Sequence, residues 1–154
     1  MRSLGKGLAV AVGFVLVGTL IGTLTSSAAT GPAIIRVTDR QTDIWRVDVG
    51  RRGRTPGDME VINALVFNRR ITQRALGHTE IVCTYTVGIN RSCQGTVFLP
   101  KGKLIVGGVL RYRQFHELAV VGGTGLYNNA RGTLTVTRIG DSPPRHLLYF
   151  RLAG

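Results

Sequence analysis

Residues Glu117 to Gly132 read ELAVVGGTGLYNNARG, and the fold turns on how this stretch is read. It opens as an apolar strand. Three glycines come next at Gly122, Gly123 and Gly125, then Leu126, Tyr127 and two asparagines, then Ala130-Arg131-Gly132 leading into a run of β-formers up to Ile139. Glycine takes backbone conformations closed to other residues. A strand that runs into such a cluster can kink and reverse, and its backbone can lie close to whatever fills the space beside it. A phosphate-cradling loop would instead need a helix directly after the glycines and Walker or G-x-G-x-x-G spacing. Here the glycines lead into a turn and a second strand, so the stretch is a strand–turn–strand unit and not a nucleotide site.

The same texture continues on both sides. Ala33 to Thr38, Asp43 to Val49, Glu60 to Asn68, Glu80 to Val87, Cys93 to Leu99, Leu104 to Tyr112, Leu118 to Val121, Gly132 to Ile139 and His146 to Leu152 are short β-rich runs with turn signals between them. In Asp43–Val49, Trp45, Val47 and Val49 share one face, and Ile44, Arg46 and Asp48 share the other. In Glu80–Val87, the residues Ile81, Cys83, Tyr85 and Val87 share a face. EVINALVFN (Glu60 to Asn68) is apolar on both faces, which implies burial on both sides or an oligomer contact on one. GRRGRTPG (Gly50 to Gly57) is a solvated loop, and Arg69 to His78 is polar and irregular. No amphipathic helical stripe of useful length is present. Eight or nine short strands in one chain of 154 residues predict a single all-β domain, an antiparallel sandwich or barrel. The 21 glycines show no G-X-Y period, which excludes collagen.

The first 29 residues read as something other than fold. Arg2 and Lys6 make a short positive segment, Leu8 to Leu24 is uncharged and mostly apolar, and Thr25 to Ala29 are small. This is the pattern of a secretory signal peptide, with Ser27 and Ala29 at −3 and −1 and cleavage before Thr30. An uncleaved membrane anchor is the competing reading, although the apolar run is slightly shorter than the ~20 residues of a spanning helix. The chain is thus expected to be secreted, with residues 1–29 removed and 30–154 forming the domain. Arg2 and Lys6 are the only charges removed, so 18 basic and 8 acidic residues remain, a net charge of +10, nearly all of the cations arginines. Such a surface serves solubility, or is drawn to anionic polymers, lipid headgroups or nucleic acid. No arginine run is interleaved with aromatics as a nucleic-acid groove requires, so no specific nucleic-acid partner is expected.

An exported chain meets an oxidising compartment, so Cys83 and Cys93 can pair. If a hairpin turns near Gly88 to Ser92, symmetry about position 88 sets Cys83 opposite Cys93. Directly opposed residues have Cβ atoms about 4.5–5.5 Å apart, close to bridging range. A cross-strand disulfide is expected.

The segment Glu117 to Gly132 resembles the signature of the allene oxide cyclase/dirigent superfamily: an apolar strand, GGTG, an aromatic, and an ARG close. The order of other motifs agrees, from Gly57-Asp58 opening an apolar strand, through Gly77 before the Cys83 strand and CQGTVF (Cys93 to Phe98), to KLIVGG (Lys103 to Gly108) and a last strand, His146 to Leu152, that carries an aromatic. The resemblance covers Asp58 to Leu152 and, with the export signal, is to a secreted member of bacterial type. It implies an eight-stranded antiparallel barrel, often trimeric, holding an apolar small molecule in its lumen, with no cofactor. In this family the barrel acts by constraining conformation, and orientation alone can supply much of a barrier.

The resemblance places Arg131 at the arginine of the ARG close, which lines the pocket in dirigent-like members. There it would anchor a carbonyl or developing oxyanion, or else pair with a carboxylate at the rim. Tyr127 takes the aromatic position, as ligand contact or as core. Asn63, the single amide inside Val61 to Phe67, must find partners if buried, in a ligand or in backbone. Tyr85 and Glu117 are further candidates on the same two-way reading, and Gly122, Gly123 and Gly125 are the structural turn. Dirigent-like members carry an acid just after GGTG, whereas Gly125 and Leu126 stand here, which puts acid-assisted phenol chemistry in doubt. Asp43, Asp48 and Asp58 are carboxylates that other strands could supply. His78, His116 and His146 are isolated and lack metal-ligand spacing, and no G-x-S-x-G elbow exists. Three functions remain: a cyclase-, isomerase- or dirigent-type barrel acting on an apolar compound, a non-catalytic carrier of an apolar ligand, and a cationic module docking on anionic envelope polymers.

Overall fold

The computed structural model describes residues 33–72, 74–111 and 115–153, so the expected signal peptide lies outside the described residues. Every element among them is a β-strand: β1 (Ile34–Val47), β2 (Met59–Asn68), β3 (Gly77–Tyr85), β4 (Arg91–Leu99), β5 (Gly102–Leu110), β6 (Phe115–Gly125), β7 (Arg131–Asp141) and β8 (Pro144–Ala153). Each pairs antiparallel with its neighbours in sequence, and β1 also pairs with β8, closing an eight-stranded barrel. Closure gives every strand a paired neighbour on both sides.

Alternation fixes what faces inward. Glu60, Ile62, Ala64 and Val66 on β2 share register with Thr79, Ile81 and Cys83 on β3, and these are the inward sets. The outward face of β2 carries Val61, Asn63 and Leu65, all half-buried.

The two segments expected at Ala33–Thr38 and Asp43–Val49 are one strand. Within it the register slips: Gln41 stands opposite Ala64, Asp43 opposite Asn63, and Thr42 is the extra residue of a bulge, its Oγ1 donating to the Asn63 carbonyl at 3.1 Å. A bulge reverses the side-chain phase beyond it. Val37, Asp39 and Gln41 point inward before it; Ile44 and Arg46 point inward after it. Trp45 and Val47, the more apolar face on sequence alone, therefore stand outside, 68% and 50% exposed.

The two ends of the barrel differ. At the end carrying the β4–β5 and β6–β7 turns, Val66, Leu104, Val120 and Phe150 pack the interior with almost no exposure, and Tyr127 and Ala130 of the β6–β7 turn join them. The glycines make that turn possible. Gly125 sits at φ +62, and a Cβ on Gly123 would collide with the Tyr127 carbonyl oxygen. The opposite end, with the long β1–β2 loop, stays open. Asp58 organises this loop: its carboxylate accepts from the Val49 amide at 2.8 Å and the Thr55 amide at 2.6 Å. The backbone amides of Thr55 and Val49 hold the Asp58 carboxyl below the ordinary carboxylate value. Gly57 and Asp58 in turn bond backbone-to-backbone with Tyr85 at the tip of β3.

Cys83 and Cys93 are register partners on β3 and β4 and form a disulfide, with Cα atoms 4.0 Å apart. The loop it closes is short, so the chain-entropy account gives a little under ~3 kcal/mol. Urea unfolding of a Cys83→Ser/Cys93→Ser variant should show a loss of up to that size. Equal stability of variant and parent would mean that the bridge constrains the unfolded chain too little to matter.

Candidate functional site

The open half of the barrel holds a cavity of about 370 Å³. Its walls are apolar, built from inward residues such as Ile62, Ile81, Leu118, Leu134, Val136 and Leu148. This size and lining fit a small-molecule site, which is concave, mostly apolar and marked by few polar groups. The polar groups fall into two clusters.

The first is centred on Glu60. This carboxylate is 1% exposed, on a mostly apolar strand. A buried charge survives only with partners, and three are present. Tyr85 Oη donates to Oε1 at 2.9 Å, Arg46 Nε donates to Oε1 at 3.0 Å, and Arg91 Nη1 donates to Oε2. Burial pushes the Glu60 carboxyl up, but the Tyr85, Arg46 and Arg91 donors more than offset it, so its net shift is below the ordinary value. Glu60 is thus an anion, not a proton donor. Arg54, carried over the mouth by the Asp58-anchored loop, also lines the cavity and lies 5.8 Å from the Tyr85 ring centroid. Arg91 lies at the same distance from that ring. Three guanidiniums against one carboxylate leave this side of the lumen positive. It can receive a carbonyl, phenolate, enolate or carboxylate.

The second cluster joins β1 to β8. Asp39 Oδ1 accepts from the His146 backbone amide at 3.0 Å and contacts His146 Nδ1 at 2.8 Å. Both residues line the cavity, as do Arg138 and His116.

Of the five ligand-binding candidates drawn from sequence, Tyr85 is the one that lines this cavity. Arg131 is exposed on the outer phase of β7, its Nη1 donating to the Ala130 carbonyl at 2.9 Å. Glu117 is also outside, paired with Arg151 at 3.6 Å. Asn63 stands on the outer phase of β2, opposite Asp43 and Glu80. Tyr127 is buried in the closed end, where burial pushes its phenol above the ordinary value. Asp43 and Asp48 are exposed, and Asp58 anchors its loop. Sequence reasoning does not single out Glu60, Arg46, Arg91, Asp39 or His146 as site residues. For Glu60 a signal exists: it is in phase with Ile62, Ala64 and Val66, so a carboxylate enters the interior with them. For Asp39 and His146, 107 positions apart, none exists short of barrel closure.

No protein-family model and no curated protein sequence matches the chain. Solved structures do. A pyocyanin demethylase is similar at 21% identity and TM-score 0.68, covering 78% of this chain and 99% of that one. A pterocarpan synthase dirigent protein is similar at 12% identity and TM-score 0.59, covering 77% and 84%. A Diels–Alderase from Streptomyces koyangensis is similar at 12% identity and TM-score 0.63, covering 78% and 64%. At these identities the likeness is one of fold: this chain has the eight-stranded barrel that those proteins share.

The Glu60 network makes two expectations measurable. Arg91→Met should destabilise the barrel by roughly 2–3 kcal/mol, short of the ~3–5 kcal/mol for a buried charge left alone, because Arg46 and Tyr85 remain. Since the Glu60 carboxyl is lowered on folding, its contribution is fully present above 4.5 and is lost as pH falls through its lower folded value. Urea unfolding across acid pH should therefore show a steeper loss for the parent than for Glu60→Gln. Parallel curves would contradict the assignment.

Proposed function

We propose that the barrel binds an apolar small molecule in its lumen, with the molecule's electron-rich end against Arg46, Arg54 and Arg91, and holds it in one reactive conformation, as a cyclase- or dirigent-type protein does. The observation that carries this reading is the cavity of about 370 Å³, apolar along its walls and positive on one side. Proteins sharing the fold support it: their names describe demethylation, pterocarpan synthesis and a Diels–Alder reaction, all chemistry on small molecules. Carriage without reaction is the alternative, and it uses the same lumen. Export with cleavage before Thr30 belongs to the same proposal. So does an oligomer, for which the outer stripe of Trp45, Val47 and Val82 offers an apolar surface.

The probe is 8-anilinonaphthalene-1-sulfonate, an apolar bicycle with one anionic end. It should bind at one site per barrel. Leu134→Trp, which fills the lumen, should weaken it at least ~10-fold, about 1.4 kcal/mol, and Arg91→Gln should weaken it with part of its salt dependence lost. Undiminished binding to Leu134→Trp would place the probe outside the lumen and remove the reading.

Expression of the full chain in a secreting host tests the export step. N-terminal sequencing of the protein recovered from the medium should begin at Thr30. Recovery of intact chain in the membrane fraction would favour the uncleaved anchor.

A further inference from the structure

We propose that Asp39 and His146 form a general-base dyad on the lumen wall, and that the compound treated in the barrel is one that loses a proton there: a carbon acid beside a carbonyl or an imine, or a phenol. This rests on the lumen reading above and adds a chemical step to it.

The geometry is specific. One oxygen of Asp39 holds both the backbone amide and the ring Nδ1 of His146, at 3.0 and 2.8 Å. That double contact fixes the ring's direction. A carboxylate at Nδ1 also sets the tautomer, with Nδ1 protonated and Nε2 carrying the lone pair. Asp39 is 6% exposed, and the His146 side chain 18%. Both line a cavity whose walls include Leu134, Val136 and Leu148, so the imidazole works beside apolar surface. Asp39 is not claimed by the neighbouring cation: Arg138, the register partner of His146 on β7, is tied to Asp141 at 2.7 Å. Beside His146, the charged and titratable groups lining this part of the cavity are Asp39 from β1, Arg138 from β7 and His116 from β6. The Arg46–Glu60–Arg91 network lines the same lumen.

The step balances without an oxidant or cofactor. Nε2 takes the proton, and the electron pair of the broken bond moves onto the substrate's oxygen or nitrogen. Arg46 and Arg91 lower the energy of the charge so formed. The imidazolium, held by Asp39, returns the proton to another atom of the same molecule, which makes the net change an isomerisation or ring closure. The dyad takes the proton and the arginines receive the charge.

The test uses 5-nitrobenzisoxazole, a flat apolar carbon acid. A base removes its C3 proton, the C–H pair becomes the third bond of a nitrile, and the N–O bond breaks to give a coloured phenolate. The folded barrel should accelerate this above the same concentration of free imidazole. His146→Gln should cost about 100-fold, and Asp39→Asn should cost a similar order through the wrong tautomer. Added imidazole should restore part of the rate to His146→Ala, which a purely structural role for the ring would not allow. His78→Gln, altered on the outer face, should match the parent. Anilinonaphthalenesulfonate binding, measured on every variant, separates the two readings. Binding without acceleration, or a rate kept in His146→Gln and lost in Glu60→Gln, overturns the dyad and leaves the lumen reading standing. Loss of binding in the parent removes both.

Discussion

One unpaired residue, Thr42, decides what kind of interior this barrel has. Before it, β1 sends Val37, Asp39 and Gln41 inward; after it, the same strand sends Ile44 and Arg46 inward. Without the slip, the residues in phase with Asp39 would be Asp43, Trp45 and Val47. The indole would then turn toward the lumen, and the Arg46 guanidinium would turn away from Glu60. Glu60 would lose one of its three donors and face an apolar neighbour instead. The bulge exchanges a filled, apolar mouth for an open, charged one. It leaves Trp45 and Val47 in the water, each with half of its surface or more exposed. Bulges at barrel rims re-aim side chains in this way.

A division of labour along the barrel axis results. A barrel of eight strands can be filled by its own side chains or can hold one small ligand. Here it does both. Phe150, Leu104 and Val66 fill one half as fully buried side chains, and the Cys83–Cys93 bridge ties β3 to β4, with Cys83 itself on the cavity wall. The open half bears the costly features. Glu60 and Asp39 are buried carboxylates that contribute little net stability even when paired. Each is held by donors from other strands: Tyr85, Arg46 and Arg91 for Glu60, and the backbone amide and ring Nδ1 of His146, 107 positions away, for Asp39.

The architecture is legible in the sequence because its signals are local. Period-2 alternation, the GGTG turn and the spacing of Cys83 and Cys93 each need only a few neighbouring residues, and strand type, hairpin and disulfide are built from them. The site is less legible. Arg131 and Glu117 stand out by their place in a motif, yet on β7 and β6 they fall on the outer phase, where Glu117 meets Arg151. Tyr85 reads as inward because Cys83 and Ile81 set its phase. Elsewhere alternation misleads: it tells which residues share a face, and only the register against a neighbour tells which face is inside. Trp45 and Val47 are the clear case. Asp39 and His146 lie beyond any local signal, since they meet only when β8 closes on β1.

The two polar clusters differ in a way that bears on carriage against reaction. A carrier gains from polar groups that hold a ligand's own charge, and Arg46, Arg54 and Arg91 would suffice for that. A second, oriented pair on the β1–β8 seam adds little to retention: Asp39 and His146 satisfy each other, and an imidazole presenting Nε2 is a poor anchor for an anion. It is a good acceptor for a proton. Groups that take a proton at one wall and receive negative charge at another favour a molecule whose charge shifts while it is bound. Uniform binding has no use for that polarity, whereas binding that strengthens as the reaction proceeds does. The arrangement therefore weighs toward the catalytic form of the proposal.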